Sequence, residues 1–529
     1  MMVSVQRLPM LAAGLAVATC LGFALFTGHT WEDYYITFRS SLNLATGHGL
    51  VYQPGERLHT FTSPLGTLLP ALFALGGGDA TTRALWCFRL VSASALAGAI
   101  WLAARAMLRD ALAPFAVGVI ALLWALDPKL VDFAINGMES AFVVLFVVIT
   151  WNALASGAAP WRVAGGFAGL QWTRPDGFIY FGALVVAWWC FRPPANHEPA
   201  RERFVRLFRG AALGLALYLP WIVIAWSYYG TPIPHTITAK DTNGSALELL
   251  QLALLYPWHL LFGHTTLHEV FMPAYFYLGG WPENLLWVSR FFAVGAVLAC
   301  AWPAVQAPGR IAAGAFFLGG LYLKPIPGSP WYYPGWQALA LIAWAYLIEA
   351  LWRRAPRLHS GVRVVAGTLI AIEAALLIAV AWQMRAQQTI IEEGQRITIG
   401  RWLKAHARAG ERVYLESLGY IGFFSGLKMF DYPGLASAEV VAAHHAGAKP
   451  HAQIIAAVRP DWIVLRPHER NEVLNTLPLL LEVDYRLVRV FDAQAAINAV
   501  TVLPGRGFLN FDSVFYLYAR TGVDSTRQP

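Results

Sequence analysis

The sequence predicts a polytopic α-helical membrane protein with a smaller α/β region at its C-terminal end. Hydrophobic residues make up 57% of the 529 residues and charged residues only 13%, whereas soluble domains carry about 25% charged residues. Apolar segments long enough to cross a bilayer, about 17–25 residues each, recur over most of the first 385 residues. From about residue 388 onward, polar helical and β-rich stretches replace them, which indicates a second region.

The first apolar segment, roughly Leu8–Phe26, follows a single Arg7. Because more apolar segments come after it and no convincing small-residue cleavage site ends it, we interpret it as an uncleaved signal anchor. Basic residues cluster in three short loops, 105–110, 191–209 and 351–363. The positive-inside rule assigns these loops to the cytoplasm. Because the basic residues cluster in these short loops, the net charge of +8 does not indicate a nucleic-acid partner.

This orientation gives about eleven transmembrane helices. They are predicted near 8–28, 84–105, 112–127, 140–157, 161–174, 177–191, 207–227, 285–303, 309–323, 333–351 and 363–384. Segment 62–78 is short and contains Pro64 and Pro70, so we expect it to lie at the interface without spanning. Four loops then face the outer side, with the turn at 173–177 close to them: 29–62, 127–140, 228–284 and 323–335.

The predicted domains are a transmembrane domain, 1–387, and an outer α/β domain, 388–529. An amphipathic helix after residue 388 is followed by a turn at Gly410 and by a β-rich run, "RVYLE". "HAQIIAAVRPDWIVLRP" repeats the order of helix and strand, and "YRLVRVF" is typical of a further strand. This alternation favours an α/β domain.

Two adjacent carboxylates, Glu32 and Asp33, stand where the first apolar helix leaves the membrane. They could simply be solvated residues that mark a helix end. However, the stretch after them has the aromatic spacing and turn glycines of an ordered loop, and ionisable groups near membrane depth tend to be functional. We therefore predict that the outer loops form the functional site.

The stretches "EDYYITFR", "NLATGHGLVYQPGER" and "TSPL" resemble the first outer loop of GT-C glycosyltransferases. The resemblance is strongest to the branch that contains the mycobacterial terminal arabinofuranosyltransferases. "INGMES", "TRPDG", "YYGTPIPHTITAK" and "GYIGFFSGLKMFDYPGLAS" resemble further stretches of that family. Two positions depart from the family pattern: Glu32 replaces an Asp, and His235 replaces the Asn of a P-N-T motif.

The resemblance implies a GT-C fold and an inverting transfer from a polyprenyl-phosphate sugar to an acceptor hydroxyl. Inverting sugar transfer needs one carboxylate base, and we predict Asp33 as that base, with Glu32 orienting it or the acceptor. The leaving phosphate needs cationic or N–H partners, for which Lys240, His235 and Arg174 are the candidates. No cofactor or metal is required; a divalent cation is conceivable, but nothing in the sequence indicates one.

Each further candidate has a structural alternative. Arg174 and Asp176 could be an ion pair that holds two helices together, Lys240 an interfacial lysine, and His235 a packed turn residue. Glu139 could bind sugar hydroxyls or interact with a helix dipole. Arg39 and His59 are further candidates for substrate binding on the first loop. Tyr332 and Tyr333 could contact sugar or isoprenyl groups, or belong to an interfacial aromatic belt.

The predicted donor sugar is D-arabinofuranose, and the acceptor an envelope glycan, a lipid-linked saccharide or a surface protein. The same fold with a mannose or glucose donor is the nearest alternative. A lipid or sugar transporter would instead place charges at mid-membrane in pseudo-symmetric halves, and a non-catalytic glycan-binding scaffold would tolerate loss of Asp33. The expected location is a bacterial cytoplasmic membrane, with the site and the C-terminal domain on the periplasmic face.

Overall fold

The computed structural model describes residues 5–192, 199–239, 246–323 and 329–522. The first helices are α1 (Leu8–Thr27), α2 (Glu32–Ala45), α3 (Pro64–Ala74), α4 (Ala80–Arg109), α5 (Pro114–Leu126), α6 (Pro128–Ile135), α7 (Ser140–Ala155) and α8 (Pro160–Thr173). They are followed by α9 (Gly177–Phe191), α10 (Ala200–Tyr229), α11 (His235–Ala239), α12 (Ala246–Phe262), α13 (Asn284–Leu298), α14 (Ala307–Leu323), α15 (Pro334–Arg354) and α16 (His359–Ala386). Among them, α4 packs against α1 and α7, and α8 packs against α7 and α10.

A helix occupies each of the eleven positions predicted to span the membrane. Within the described ranges, five helices are long and apolar enough to cross a bilayer, or six if α5 and α6, which meet at 52°, form one bent span. Others are shorter: α7 has 16 residues and α9 has 15. The polytopic helical character is therefore confirmed, and the number eleven stays a prediction.

Several predicted outer loops contain helices. The loop 29–62 includes α2, the loop 127–140 includes α6, and the loop 228–284 includes α11 and α12. Every residue of α6 is buried, which shows that a short helix with charged residues can lie inside the fold. Helix α3 has 11 residues and is about 16 Å long, against a hydrocarbon core of about 30 Å; its non-spanning position stays a prediction.

The C-terminal part contains a mixed five-stranded sheet. Its elements are α17 (Thr398–His406), β1 (Arg412–Leu415), α18 (Leu418–Ser425), β2 (Lys428–Asp431), α19 (Ala438–His445), α20 (His451–Val458), β3 (Trp462–Leu465), α21 (Pro467–Thr476), β4 (Tyr485–Asp492), α22 (Gln494–Ala499), α23 (Arg506–Phe511) and β5 (Val514–Arg520). The strand order is β2-β1-β3-β5-β4. β1 is parallel to β2 and β3, whereas β5 is antiparallel to β3 and β4.

One uninterrupted helix connects the two parts of the chain. It runs for 51 residues from Pro356 to His406, with a π-helical segment at Gln387–Ile397 between α16 and α17. The predicted domain boundary at 387/388 falls inside this helix and stays a prediction, as does the outer location of the C-terminal part. Four side chains of the π-helical segment that could form polar contacts are fully or almost fully buried: Gln387, Glu392, Gln395 and Arg396.

Candidate active site

Helix α2 begins with the two carboxylates that the sequence singles out. Trp31 precedes the helix in an extended conformation, and its backbone N–H donates to the carbonyl of Asn136 at 2.9 Å. Glu32 and Asp33 therefore occupy the first turn of α2, where the helix dipole favours negative charge. The turn fixes both carboxylates on a short helix that is anchored to a neighbouring loop.

The loop before α7 crosses α2 at close range. Gly137 has φ +95°, and a Cβ at this position would lie 2.7 Å from the side chain of Tyr34. Glycine satisfies both conditions because it adopts positive φ without strain and has no Cβ. The crossing brings Glu139, which directly precedes α7, to the same cavity as Asp33.

Two cavities meet at Glu32 and Asp33. The polar chamber has a volume of about 280 Å³, and besides the two carboxylates its walls include Thr37, Thr60, Thr62, Gly137, Glu139, Arg174, Thr236, Tyr332 and Tyr432. The aromatic chamber has a volume of about 380 Å³, and its walls include Trp31, Phe133, Tyr275, Tyr277, Glu392, Arg396, Arg466, Phe508, Phe511 and Asp512. Met138, Trp331 and Glu416 line both chambers. The paired carboxylates thus stand on the wall between them.

The polar chamber contains an ion-paired triad. Arg174 donates from Nη1 to Glu139 and from Nε to Asp176, each at 2.9 Å. Its guanidinium also lies 4.2 Å from the centre of the Tyr332 ring, and Tyr322 donates its hydroxyl to Asp176. Arg174 is therefore paired with two carboxylates, and its contact with Asp176 corresponds to the alternative in which these two residues form an ion pair. The guanidinium also holds Glu139 in place.

The candidates on α11 lie beside the polar chamber. The backbone N–H of His235 donates to the carbonyl of His59 at 2.8 Å, and the next residue, Thr236, lines the chamber wall. Burial lowers the pKa of His235, which keeps its imidazole neutral at pH 7. Lys240 lies outside the described residues.

Three other candidates do not line either chamber among the described residues. Arg39 donates to the carbonyls of Gly422 and Leu427 at 2.8 and 2.9 Å, which attaches α2 to α18 and the turn after it. His59 stacks on a tyrosine ring at 4.6 Å. Tyr333 donates its hydroxyl to Glu269 at 3.1 Å. Arg39 and Tyr333 thus form hydrogen bonds within the fold, and His59 forms a stacking contact; substrate binding by these three residues stays a prediction.

Glu32 belongs to a buried ion network with the C-terminal part. Arg396 donates to Glu32 at 3.1 Å, to Glu392 at 3.0 Å and to Asp512 at 2.5 Å. Asp512 also accepts from Arg466 at 2.5 Å. Sequence reasoning did not find Arg396, Arg466 or Asp512, because their partners are far away in the chain. The i, i+4 spacing of Glu392 and Arg396 was the one local signal.

The backbone of α18 also contacts Glu32. The N–H of Gly419 donates to the other carboxylate oxygen of Glu32 at 3.0 Å, and a Cβ at Gly419 would lie 2.2 Å from the Glu32 carbonyl oxygen. Both carboxylate oxygens of Glu32 therefore contact the C-terminal part, one through the ion pair with Arg396 and the other through this hydrogen bond. Glu32 positions the start of α2, so Asp33 is the stronger candidate for contact with substrate.

The environment of Glu32 makes the stability of the folded protein depend on pH. Burial raises the pKa of Glu32 from its ordinary value of 4.5 to about 8, against the opposing attraction of Arg396. The folded protein thus binds this proton more tightly than the unfolded chain, so the stabilisation is complete below pH 4.5 and is lost as the pH rises towards 8. We expect Glu32→Gln to gain melting temperature relative to the wild type between pH 5 and pH 8. A difference that is constant with pH would contradict this.

The sequence of the chain is similar to the sequences of two known proteins. It is 29% identical over 252 residues to the terminal β-(1→2)-arabinofuranosyltransferase of Corynebacterium glutamicum, which covers 43% of this chain and 36% of that protein. It is 25% identical over 255 residues to the protein of the same name from Mycobacterium tuberculosis, covering 43% and 38%. The predicted resemblance to the terminal arabinofuranosyltransferases is confirmed. The chain spans little more than a third of the length of these relatives.

A solved structure shows the same fold. ArnT from Cupriavidus metallidurans, in a crystal structure bound to undecaprenyl phosphate, aligns with a TM-score of 0.51 at 13% identity and covers 98% of this chain and 99% of that chain. The shared architecture is the polytopic helical GT-C fold. Residues 383–512 match a family described as a domain of unknown function, DUF8728. This match contains the C-terminal residues of the ion network, among them Arg396, Arg466 and Asp512.

Proposed function

We propose that the protein is an inverting glycosyltransferase that moves D-arabinofuranose from a polyprenyl phosphate to an acceptor hydroxyl. The observation that carries this proposal is the position of Asp33 on the wall between two cavities. A base that serves two substrates must stand where they meet, and a carboxylate at this wall meets that requirement. The acceptor class is an envelope glycan, a lipid-linked saccharide or a surface protein.

The transfer is a single displacement. Asp33 accepts the proton of the acceptor hydroxyl while the hydroxyl oxygen forms a bond to the anomeric carbon. The bond between that carbon and the phosphate oxygen breaks on the opposite face, and the electron pair leaves with the lipid phosphate. This geometry inverts the configuration at the anomeric carbon.

The polar chamber is assigned to the donor. Glu139, held by Arg174 at 2.9 Å, offers a carboxylate to sugar hydroxyls, and the Tyr332 ring on the same wall offers an apolar face. Because Arg174 is already paired with two carboxylates, we assign the leaving phosphate to Lys240, which follows α11 in the sequence.

The comparisons support the choice of donor. Both relatives are arabinofuranosyltransferases by name, which favours arabinofuranose over mannose or glucose. The ArnT structure contains undecaprenyl phosphate, which favours a lipid phosphate as the carrier. The predicted outer position of the loops that carry the site, together with the basic loops that the positive-inside rule assigns to the cytoplasm, supports a periplasmic site in a bacterial cytoplasmic membrane.

A donor panel tests the proposal. Purified protein in lipid is offered short-chain polyprenyl-phosphate arabinofuranose, mannose and glucose in parallel, with a membrane extract as acceptor. We expect the arabinofuranose donor to be consumed and its sugar to appear on extract material. Consumption of a hexose donor alone would show that the donor sugar is a hexose and would leave the proposed glycosyl transfer in place. No turnover of any of the three donors would overturn the proposal.

A further inference from the structure

The aromatic chamber is built jointly by the long outer loop and the C-terminal part. The N–H of Gly505 donates to the carbonyl of Gly280 at 2.9 Å, and that of Gly507 to the carbonyl of Gly279 at 3.2 Å. A Cβ at Gly507 would lie 1.8 Å from the carbonyl oxygen of Leu278. The two backbones therefore cross at a distance that only glycine permits, and this crossing places α23 against the loop.

The crossing assembles a set of aromatic faces. Tyr275 and Phe508 stack with their ring centres 4.6 Å apart and their planes at 9°. Trp31 lies 6.0 Å from Phe508 and stacks on Phe133 at 4.9 Å. These rings come from α6, from the residue before α2, from the outer loop and from α23, so the cluster exists only in the folded chain. Phe511, which is 41% exposed, stands at the rim.

Tyr275 adopts an unfavourable backbone conformation to take part in this wall. Its φ is +55° and its ψ is 27°, a region that a bulky residue rarely occupies. Glycine would serve better at this position if only the turn mattered. Strained backbone persists where the surrounding structure enforces it, and it concentrates at ligand sites, so the ring of Tyr275 is the feature that explains the strain.

We propose that the aromatic chamber binds a sugar ring of the accepting saccharide, with Tyr275, Phe508 and Trp31 as its apolar platforms. This inference rests on the proposed function, because it places the acceptor opposite the donor across Asp33. The C–H faces of a sugar pack on aromatic rings, and a saccharide also needs charged or polar partners for its hydroxyls. Glu416, whose side chain is 41% exposed, supplies such a carboxylate on the same chamber wall.

The proposal gives the domain of unknown function a specific task. Phe508, Phe511 and Asp512 all lie within or at the end of residues 383–512, which match that family. These residues line the same chamber as Asp33. The C-terminal part thus forms one wall of the acceptor side of the site.

The test separates binding of acceptor from binding of donor. Purified Tyr275→Gly and Phe511→Ala are compared with the wild type for the acceptor KM, the donor KM and the slow hydrolysis of donor without acceptor. Tyr275→Gly suits the backbone, since glycine accepts a positive φ, and Phe511 is at the rim, so both variants should fold. Tyr275→Phe keeps the ring, and Phe204→Ala removes an exposed ring that lines neither chamber.

We expect Tyr275→Gly and Phe511→Ala each to raise the acceptor KM about three- to tenfold. Donor KM and donor hydrolysis should change less than the acceptor KM in both, Tyr275→Phe should restore most of the acceptor KM because it keeps the ring, and Phe204→Ala should leave all three quantities unchanged. An unchanged acceptor KM in the two ring-removing variants would overturn the inference. A raised KM for long-chain donors alone would show that the chamber takes the lipid chain. Absence of donor turnover in the wild type would instead refute the proposed function.

Discussion

Asp33→Asn is expected to lower kcat for sugar transfer by about 10²–10⁴-fold, the range that a positioned general base contributes. The amide has nearly the same shape but cannot accept the hydroxyl proton. Because Asp33 lies in the first turn of α2, where Glu32 makes the ion pair to the C-terminal part, the substitution should leave the fold intact. Transfer assays with the preferred donor, together with donor-binding measurements, check this.

The matched control is Asp484→Asn, an exposed aspartate that lines neither chamber, and it should keep wild-type activity. If Asp33→Asn keeps full activity, the base is another carboxylate of the site. Glu139→Gln would then be the next variant, because Glu139 lines the polar chamber together with Asp33. Loss of donor binding in Asp33→Asn, with normal turnover at saturation, would also contradict the role as base.

Arg396→Leu is expected to destabilise the protein by about 3–5 kcal/mol, since removing one partner of a buried ion pair leaves uncompensated charge. Arg396 is 5% exposed and pairs with Glu32, Glu392 and Asp512. Its loss leaves three carboxylates close together at the junction of α2 and the C-terminal part. Thermal melting and limited proteolysis of the purified protein measure the effect.

Arg401→Leu serves as the matched control on the same continuous helix. Arg401 is exposed, and surface substitutions of this kind usually change stability by less than about 0.5 kcal/mol. Equal melting curves for Arg396→Leu and Arg401→Leu would show that the ion network does not hold the two parts together. A double variant, Arg396→Leu with Glu392→Leu, should recover part of the loss, because it removes one of the carboxylates that lose their cation.

The carboxylates were predictable from the sequence, whereas their environment was not. Glu32 and Asp33 stand out because charges are rare beside an apolar helix, and the helices follow from runs of hydrophobic residues. The partners of Glu32 come from 364 and more residues further along the chain, and no local period encodes such a contact. Arg396 also lies in a π-helical segment, whose period differs from the 3.6 residues used to read helix faces.

The sheet shows the same limits. Strands β1, β3 and β4 lie where the β-rich runs predicted them, but β2 and β5 were not anticipated. β2, "KMFD", contains no β-branched residue, unlike the equally short β1 and β3, so it carries little strand propensity. β5, "VFYLYAR", is rich in aromatic and β-branched residues and carried a signal that could have been used. Which strands pair, and in which direction, depends on contacts between segments far apart in the chain.

The unbroken helix from Pro356 to His406 also constrains how substrates enter and leave. With no flexible linker between the bundle and the sheet, the two cannot swing apart as independent bodies about a loose hinge. Large domain movements need a few residues that absorb changes in φ and ψ, and a helix roughly 70 Å long provides none along its length. Under the proposed function, substrates therefore reach the carboxylates by local movements of the surrounding loops, without separation of the two parts.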